Sequence, residues 1–102
     1  MSRRLLQLNF KFSVTGDEYE EAVSPLASDF AALDGLIWKV WMINEEDGEA
    51  GGIYLFEDEA SVQAYLDGPL AAGVIDHPAL SEFSVKQFDV MEDITEVTRG
   101  PV

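Results

Sequence analysis

Apolar and polar residues alternate from Leu5 to Val14 (LLQLNFKFSV). Leu6, Leu8, Phe10 and Phe12 fall on one side, and Gln7, Asn9, Lys11 and Ser13 on the other. A period of two predicts a half-buried strand. The period changes after Thr15-Gly-Asp-Glu18, a capping-box pattern in which Thr15 caps and Glu18 reaches back. Tyr19, Ala22, Val23, Leu26, Phe30 and Leu33 then recur at three- and four-residue steps, which predicts a helix with one apolar stripe. Pro25 lies inside that stripe and removes a backbone hydrogen bond, so the helix should kink or break there. Asp34-Gly35 closes it.

The next stretch, Gly35 to Glu57, reads as two strands folded back on each other. Leu36 to Asn44 and Ile53 to Phe56 are rich in β-branched and aromatic residues. Asp47-Gly48 between them suits a two-residue type I′ turn, which places Trp41 opposite Tyr54, Lys39 opposite Phe56 and Val40 opposite Leu55. Alternation then separates two faces. One carries Trp38, Val40, Met42, Ile53 and Leu55 and is wholly apolar. The other mixes Ile37, Lys39, Trp41, Ile43, Tyr54 and Phe56. One side should pack and the other should meet a pocket or a partner.

Asp58 can cap a second helix with Val62, Tyr65 and Leu66 on its apolar face. Gly68-Pro69 interrupts it, and Leu70 to Ile75 reads as a further helical turn. Asp76 to Leu80 is expected as a loop, since Pro78 pushes His77 out of helical geometry. Phe83 to Met91 is the last strand. The order strand, helix, strand, strand, helix, strand is ferredoxin-like α+β: βαββαβ with a four-stranded antiparallel sheet and two helices on one face. Residues 1–102 make a single domain, with 92–102 as a C-terminal tail, extended or a short helix. The sheet face without helices retains apolar groups and is expected to find a second copy, giving a homodimer.

Composition narrows the partners. Six Lys and Arg against twenty Asp and Glu give a net charge of −14, which argues against nucleic acid and against an anionic membrane surface. The acidity otherwise serves solubility. With no cysteine there is no disulfide, no thiolate metal site and no cysteine nucleophile. No apolar run suggests a signal peptide or a bilayer span, so a cytoplasmic protein is the expectation.

The chemistry-bearing residues are few. Gly51-Gly52 lacks the spacing and the lysine of a phosphate loop and reads as a bulge or a close backbone approach. One histidine and solvated carboxylate clusters give no metal constellation, so no bound metal is expected. No serine sits on a nucleophile elbow. What remains is a set of aromatic residues: Trp38, Trp41, Tyr54, Phe56, Tyr65 and Phe88. Phe56 and Phe88 read as core. Trp41 and Tyr54 beside Lys39 could line a slot for a flat aromatic ligand, with Lys39 favouring its anion; the same trio could equally be an interface patch with a snorkelling lysine. His77 is either an exposed loop residue or a proton acceptor at a pocket mouth. Asn9 and Gln7 face away from the apolar side of their strand, as barrel-interior hydrogen-bonders or pocket polar groups.

Leu5-Leu-Gln-Leu8, Gly35-Leu-Ile-Trp-Lys-Val-Trp41, Glu49-Ala-Gly-Gly-Ile-Tyr-Leu-Phe56, Ala64-Tyr-Leu66 and Phe88-Asp-Val90 together resemble the YdhR-type family, whose members carry the label monooxygenase. The likeness spans nearly the whole chain and is weakest from Asp67 to Gln87. It implies a dimeric α+β barrel, two ferredoxin-like sheets face to face, and kinship with small oxygenases that use no metal, flavin or haem. In those relatives the pocket lies between sheet and helices of each subunit, which fits Lys39, Trp41 and Tyr54 only if theirs is the helix-covered face.

Two functions follow as expectations. One is a cofactor-independent monooxygenase that oxidises a small electron-rich aromatic of phenol or hydroquinone type. Trp38, Trp41 and Tyr54 would be walls, Tyr65 a wall or hydrogen-bonder and Asn9 a pocket polar group, with Lys39 or His77 as the proton-accepting or charge-stabilising residue. The other is a non-catalytic homodimeric module that binds a small aromatic or apolar metabolite. Haem binding through His77 is a third and weaker idea.

Overall fold

The structure, a computed structural model, describes residues 3–102. They form β1 (Arg4–Phe12), α1 (Gly16–Val23), a 3-10 turn (Ser24–Leu26), α2 (Ala27–Ala31), β2 (Leu36–Asn44), β3 (Glu49–Phe56), α3 (Glu59–Leu66), α4 (Pro69–Ile75), β4 (Leu80–Asp89) and α5 (Glu92–Val97). The strands build one antiparallel sheet in the order β2-β3-β1-β4. This is the ferredoxin-like α+β arrangement that the element order predicts. Among the described residues no helix is long and apolar enough to cross a membrane.

Local chemistry explains the element ends. The Thr15 Oγ1 accepts from the Glu18 amide at 3.1 Å, and the Glu18 carboxylate accepts from the Thr15 amide at 3.1 Å, completing the capping box. Pro25 breaks the first helix into α1, the 3-10 turn and α2. Asp58 accepts from the Ser61 amide at 2.8 Å and starts α3. Gly68-Pro69 then separates α3 from α4.

The hairpin keeps its two faces but shifts its register. Lys39 pairs with Tyr54, Val40 with Ile53 and Trp41 with Gly52, a slip of two residues from the expected pairing. The cause lies in the turn. Asn44 accepts from the Asp47 amide at 3.3 Å and Gly48 donates to Glu45 at 3.1 Å, so the loop holds four residues, 45–48, with Gly48 at φ +63°. An even slip leaves every side chain on its expected face. A bulge between Leu36 and Trp38 adds one change, turning Leu36 toward the core.

The helices cover the mixed face. Leu6, Leu8, Phe10, Tyr54 and Phe56 from the sheet meet Tyr19, Phe30, Val62, Tyr65 and Ala71 from the helices in one buried cluster. Burying each large member contributes about 1.5–3 kcal/mol. The hairpin's wholly apolar side is therefore the one that α1 to α4 leave uncovered. Leu5, Gln7 and Asn9 of β1 lie on it, as do Trp38, Val40, Met42, Ile53 and Leu55. Leu55 is fully buried yet stands outside the helix-side cluster. The tail reaches this side, where the Trp38 indole N–H donates to the Pro101 carbonyl at 2.8 Å. Val40 remains 52% exposed. Phe88, expected in the core, pairs with Leu5 on the same open face and is 47% exposed.

Gly51 and Gly52 are a close approach and not a bulge, because β1 and β3 pair there without a register shift. A Cβ on Gly51 would stand 2.0 Å from the Leu8 carbonyl oxygen, whereas one on Gly73 of α4 meets nothing within 4 Å. Gly51→Ala should lower stability by at least about 2 kcal/mol through overpacking against backbone. Gly73→Ala should raise it by about 0.4–1 kcal/mol by restricting the unfolded chain. Urea unfolding of the two variants checks both signs.

Candidate functional site

The slip in register sets Lys39 directly across from Tyr54 on the helix-covered face. Its ammonium lies 3.4 Å from the Trp41 ring centre, 3.5 Å from that of Phe30 and 4.6 Å from that of Tyr54. Gly52 makes room for the stem, since a Cβ there would come within 2.8 Å of the Lys39 Cε. Phe30 and Trp41 meet edge to face at 5.3 Å. Tyr54 and Tyr65 complete the wall, with hydroxyls 3.1 Å apart. Each buried phenol thus has a partner, as such groups require.

Lys39 has no such polar partner among the described residues. Among the described residues its ammonium makes no ion pair; Arg4 with Asp89 and Lys11 with Glu49 are the pairs present. The ring faces attract a cation, but they replace only part of the water it loses. Burial therefore pulls the Lys39 amine down from its usual 10.5 to about 7. Burial also raises the surrounding phenols. Tyr19 is pushed up to about 12, and Tyr54 and Tyr65 move in the same direction. Near neutral pH the site thus holds a substantially neutral amine among neutral phenols.

Three spaces meet at Trp41. A cavity of about 20 Å³ lies inside, lined by Lys39, Trp41, Tyr54, Phe30, Phe10 and Tyr19 among others. It has room for about one water. A groove of about 330 Å³ runs between α1 and β2 past Tyr19, Glu20, Ser24 and Trp41. A hollow of about 290 Å³ lies between α2 and β2, bordered by Phe30, Ala31, Ile37, Lys39 and Trp41. The Trp41 indole, 38% exposed, separates the outer spaces from the inner one.

Of the residues singled out in the sequence, Lys39, Trp41, Tyr54 and Tyr65 come together. Asn9 and Trp38 point to the opposite face. Asn9 donates to Glu49 at 3.1 Å and accepts from Gln7 at 3.2 Å, so it is spent on a strand-surface network and not aimed at Lys39. Trp38 is engaged with Pro101 and touches the site only at the rim of the α2–β2 hollow. His77 sits exposed on the loop before β4, where its Nδ1 accepts from the Ala79 amide at 3.1 Å, and it lines none of the three spaces. Phe30, Tyr19 and Glu20 belong to the site without having been singled out. The first two sit in the apolar stripe of the first helix, where nothing separates a cavity wall from core.

The fold has solved counterparts of low identity. SnoaB, a cofactor-independent oxygenase from Streptomyces nogalater, superposes with a TM-score of 0.70 at 18% identity, over 90% of this chain and 96% of that one. The haem degrader MhuD from Mycobacterium tuberculosis gives 0.67 at 19% identity, over 87% and 97%. A dimeric ferredoxin-like protein of unknown function from Thermobifida fusca gives 0.66 at 21%, over 88% and 93%. The chain matches no curated protein. These likenesses define the class as ferredoxin-like α+β. Within it, residues 5–101 match the family described as "Putative mono-oxygenase ydhR", and the chain belongs to that family.

The pH dependence of stability follows from the site. Between about pH 7 and 10.5 Lys39 is protonated in the unfolded chain and neutral in the fold. The unfolded state then binds more protons, so stability should rise with pH across that window, by an amount on the order of a few kcal/mol. Above about pH 10 the trend should reverse, because unfolding frees Tyr19, Tyr54 and Tyr65 to ionise at their ordinary value. Urea unfolding from pH 6 to 11 should show this maximum. Lys39→Met should abolish the rising limb and leave the falling one.

Proposed function

We propose that the chain is a monooxygenase that oxidises a small electron-rich aromatic, of phenol or hydroquinone type, with dioxygen and without metal, flavin or haem. The observation that carries this reading is the Lys39 amine, flanked by three aromatic rings beside a cavity and without an ion-pair partner among the described residues. The oxygenase label of the family and the cofactor-independent chemistry of SnoaB, a protein of the same fold, support it. Extending that chemistry to this chain is analogy.

The site supplies what such a reaction needs. A neutral amine with a pKa of about 7 can take the proton of a bound phenol. The resulting ammonium stabilises the phenolate in surroundings from which water is excluded. The electron-rich anion then gives an electron to dioxygen, and the two radicals combine to form a carbon–oxygen bond. Loss of water from the peroxide leaves a quinone, so one phenol and one dioxygen become one quinone and one water. The substrate supplies the electrons. The inner cavity is too small for a ring, so Trp41 must swing outward to join it to the outer spaces. Tyr54 and Tyr65 hold the wall by their mutual hydrogen bond. Lys39 is assigned the proton-accepting role, and His77, exposed and outside the cavities, is assigned none.

The working unit in this reading is a homodimer. Val40, Met42, Ile53 and Phe88 lie on the sheet face that α1 to α4 leave uncovered, and a neighbour of the same fold is described as dimeric. Val40→Glu should convert the dimer to monomer in analytical ultracentrifugation, since a carboxylate buried at such a face has no partner. Residual dimer at the wild-type affinity would refute that interface.

Oxygen uptake against a panel of hydroquinones and polyphenols tests the activity itself. Turnover should form a quinone, and kcat/KM should rise with pH through about 7 as Lys39 loses its proton. Lys39→Met should lower kcat by about 100-fold or more, the usual size of a general-base contribution, while His77→Ala keeps wild-type turnover. Full turnover in Lys39→Met would overturn the assignment.

A further inference from the structure

We propose that the Lys39 amine also serves as a nucleophile that captures uncharged aromatic aldehydes and ketones as imines, in the hollow between α2 and β2. The chain has three lysines. Lys11 lies 4.0 Å from Glu49 and donates to the Asp47 carbonyl at 3.3 Å, while Lys86 stands exposed on β4. Lys39 borders the hollow between α2 and β2, and among the described residues its amine is engaged by ring faces and not by a carboxylate. The depressed amine pKa adds a free lone pair near neutral pH.

The hollow selects the ligand. At about 290 Å³ it is near the lower size of small-molecule sites and suits one or two rings. Ala27, Ala31, Leu36 and Ile37 border it, and Lys39 is the one charged residue of its lining. A carboxylated carbonyl compound would lose hydration there with only the amine to meet it, and it would approach a chain of net charge −14. An uncharged ring-bearing carbonyl suffers neither cost.

The chemistry balances without a further reactant. The amine lone pair attacks the carbonyl carbon, giving a carbinolamine. Its hydroxyl and the remaining amine hydrogen leave as water, so carbonyl plus amine becomes imine plus water. Neither partner is oxidised or reduced. The flanking rings of Phe30 and Trp41 keep bulk water from the new C=N bond.

This needs no dioxygen and does not rest on the oxygenase reading. The full chain is incubated with cinnamaldehyde at pH 7.5, reduced with cyanoborohydride and mapped by peptide mass spectrometry. Lys39 should carry at least about tenfold more adduct than Lys11 or Lys86, since burial of the Lys39 amine favours its unprotonated form, and glyoxylate should label it poorly. Lys39→Arg should remove that adduct and leave the other two unchanged. Ala31→Trp, at an exposed α2 position bordering the hollow, should block Lys39 labelling by filling the space. Equal labelling of the three lysines, or undiminished Lys39 labelling in folded Ala31→Trp, would overturn the proposal. Lys39 labelling without oxygen uptake would sink the oxygenase reading alone, and the reverse pattern would sink this one alone.

Discussion

The burial of one amine among aromatic rings sets the character of this molecule. A lysine side chain in a helix–sheet interface costs the fold the hydration of its charge. Here three rings stand around the ammonium, two of them within 3.5 Å, and no carboxylate among the described residues answers it. The cost is met by giving up the proton, which is why burial brings the amine to about 7. A core without this lysine would be more stable at neutral pH. Retaining it is the kind of local inconsistency that marks a functional site.

Much else in the sheet follows from making room for that side chain. Gly52 leaves the space a side chain would take, and the Lys39 stem crosses it. The four-residue turn at 45–48 fixes the register that sets Lys39 beside Tyr54 instead of Phe56. The Tyr54 hydroxyl is bonded to Tyr65, which ties β3 to α3 behind the amine. The break at Pro25 lets the first helical segment end and α2 begin, and α2 carries Phe30 into contact with Trp41. Trp41 lies on β2, an edge strand, where its ring borders both the inner cavity and the outer spaces.

The fold was legible because its signals are local and mutually consistent. Alternation in β1, the capping box at Thr15 and the Asp58 cap each point to the observed element, whereas the helix expected to close at Asp34-Gly35 ends at Ala31 with Ala32 as its cap. The hairpin faces were legible too, since an error of two residues in register preserves them. The register itself was not. Asp47-Gly48 looks like a two-residue turn, and only the Asn44 side chain, bonding back to Asp47, reveals the longer loop. Asn9 and Trp38 carry the right chemistry for a pocket, but strand parity sends them to the other face. Phe30 and Tyr19 went unnoticed because a cavity wall and a core position share one helical period.

The site depends on the half-neutral state of Lys39 at pH 7 inside its aromatic cage. The direct measurement of that state is an NMR titration of the Lys39 side chain, following Cε and Nζ shifts from pH 5 to 11 in the intact protein, with Lys11 and Lys86 as internal references. The Lys39 midpoint should fall near 7. A Lys39 midpoint near 10.5, the ordinary lysine value, would mean the amine stays charged and hydrated, and the site as described would not exist.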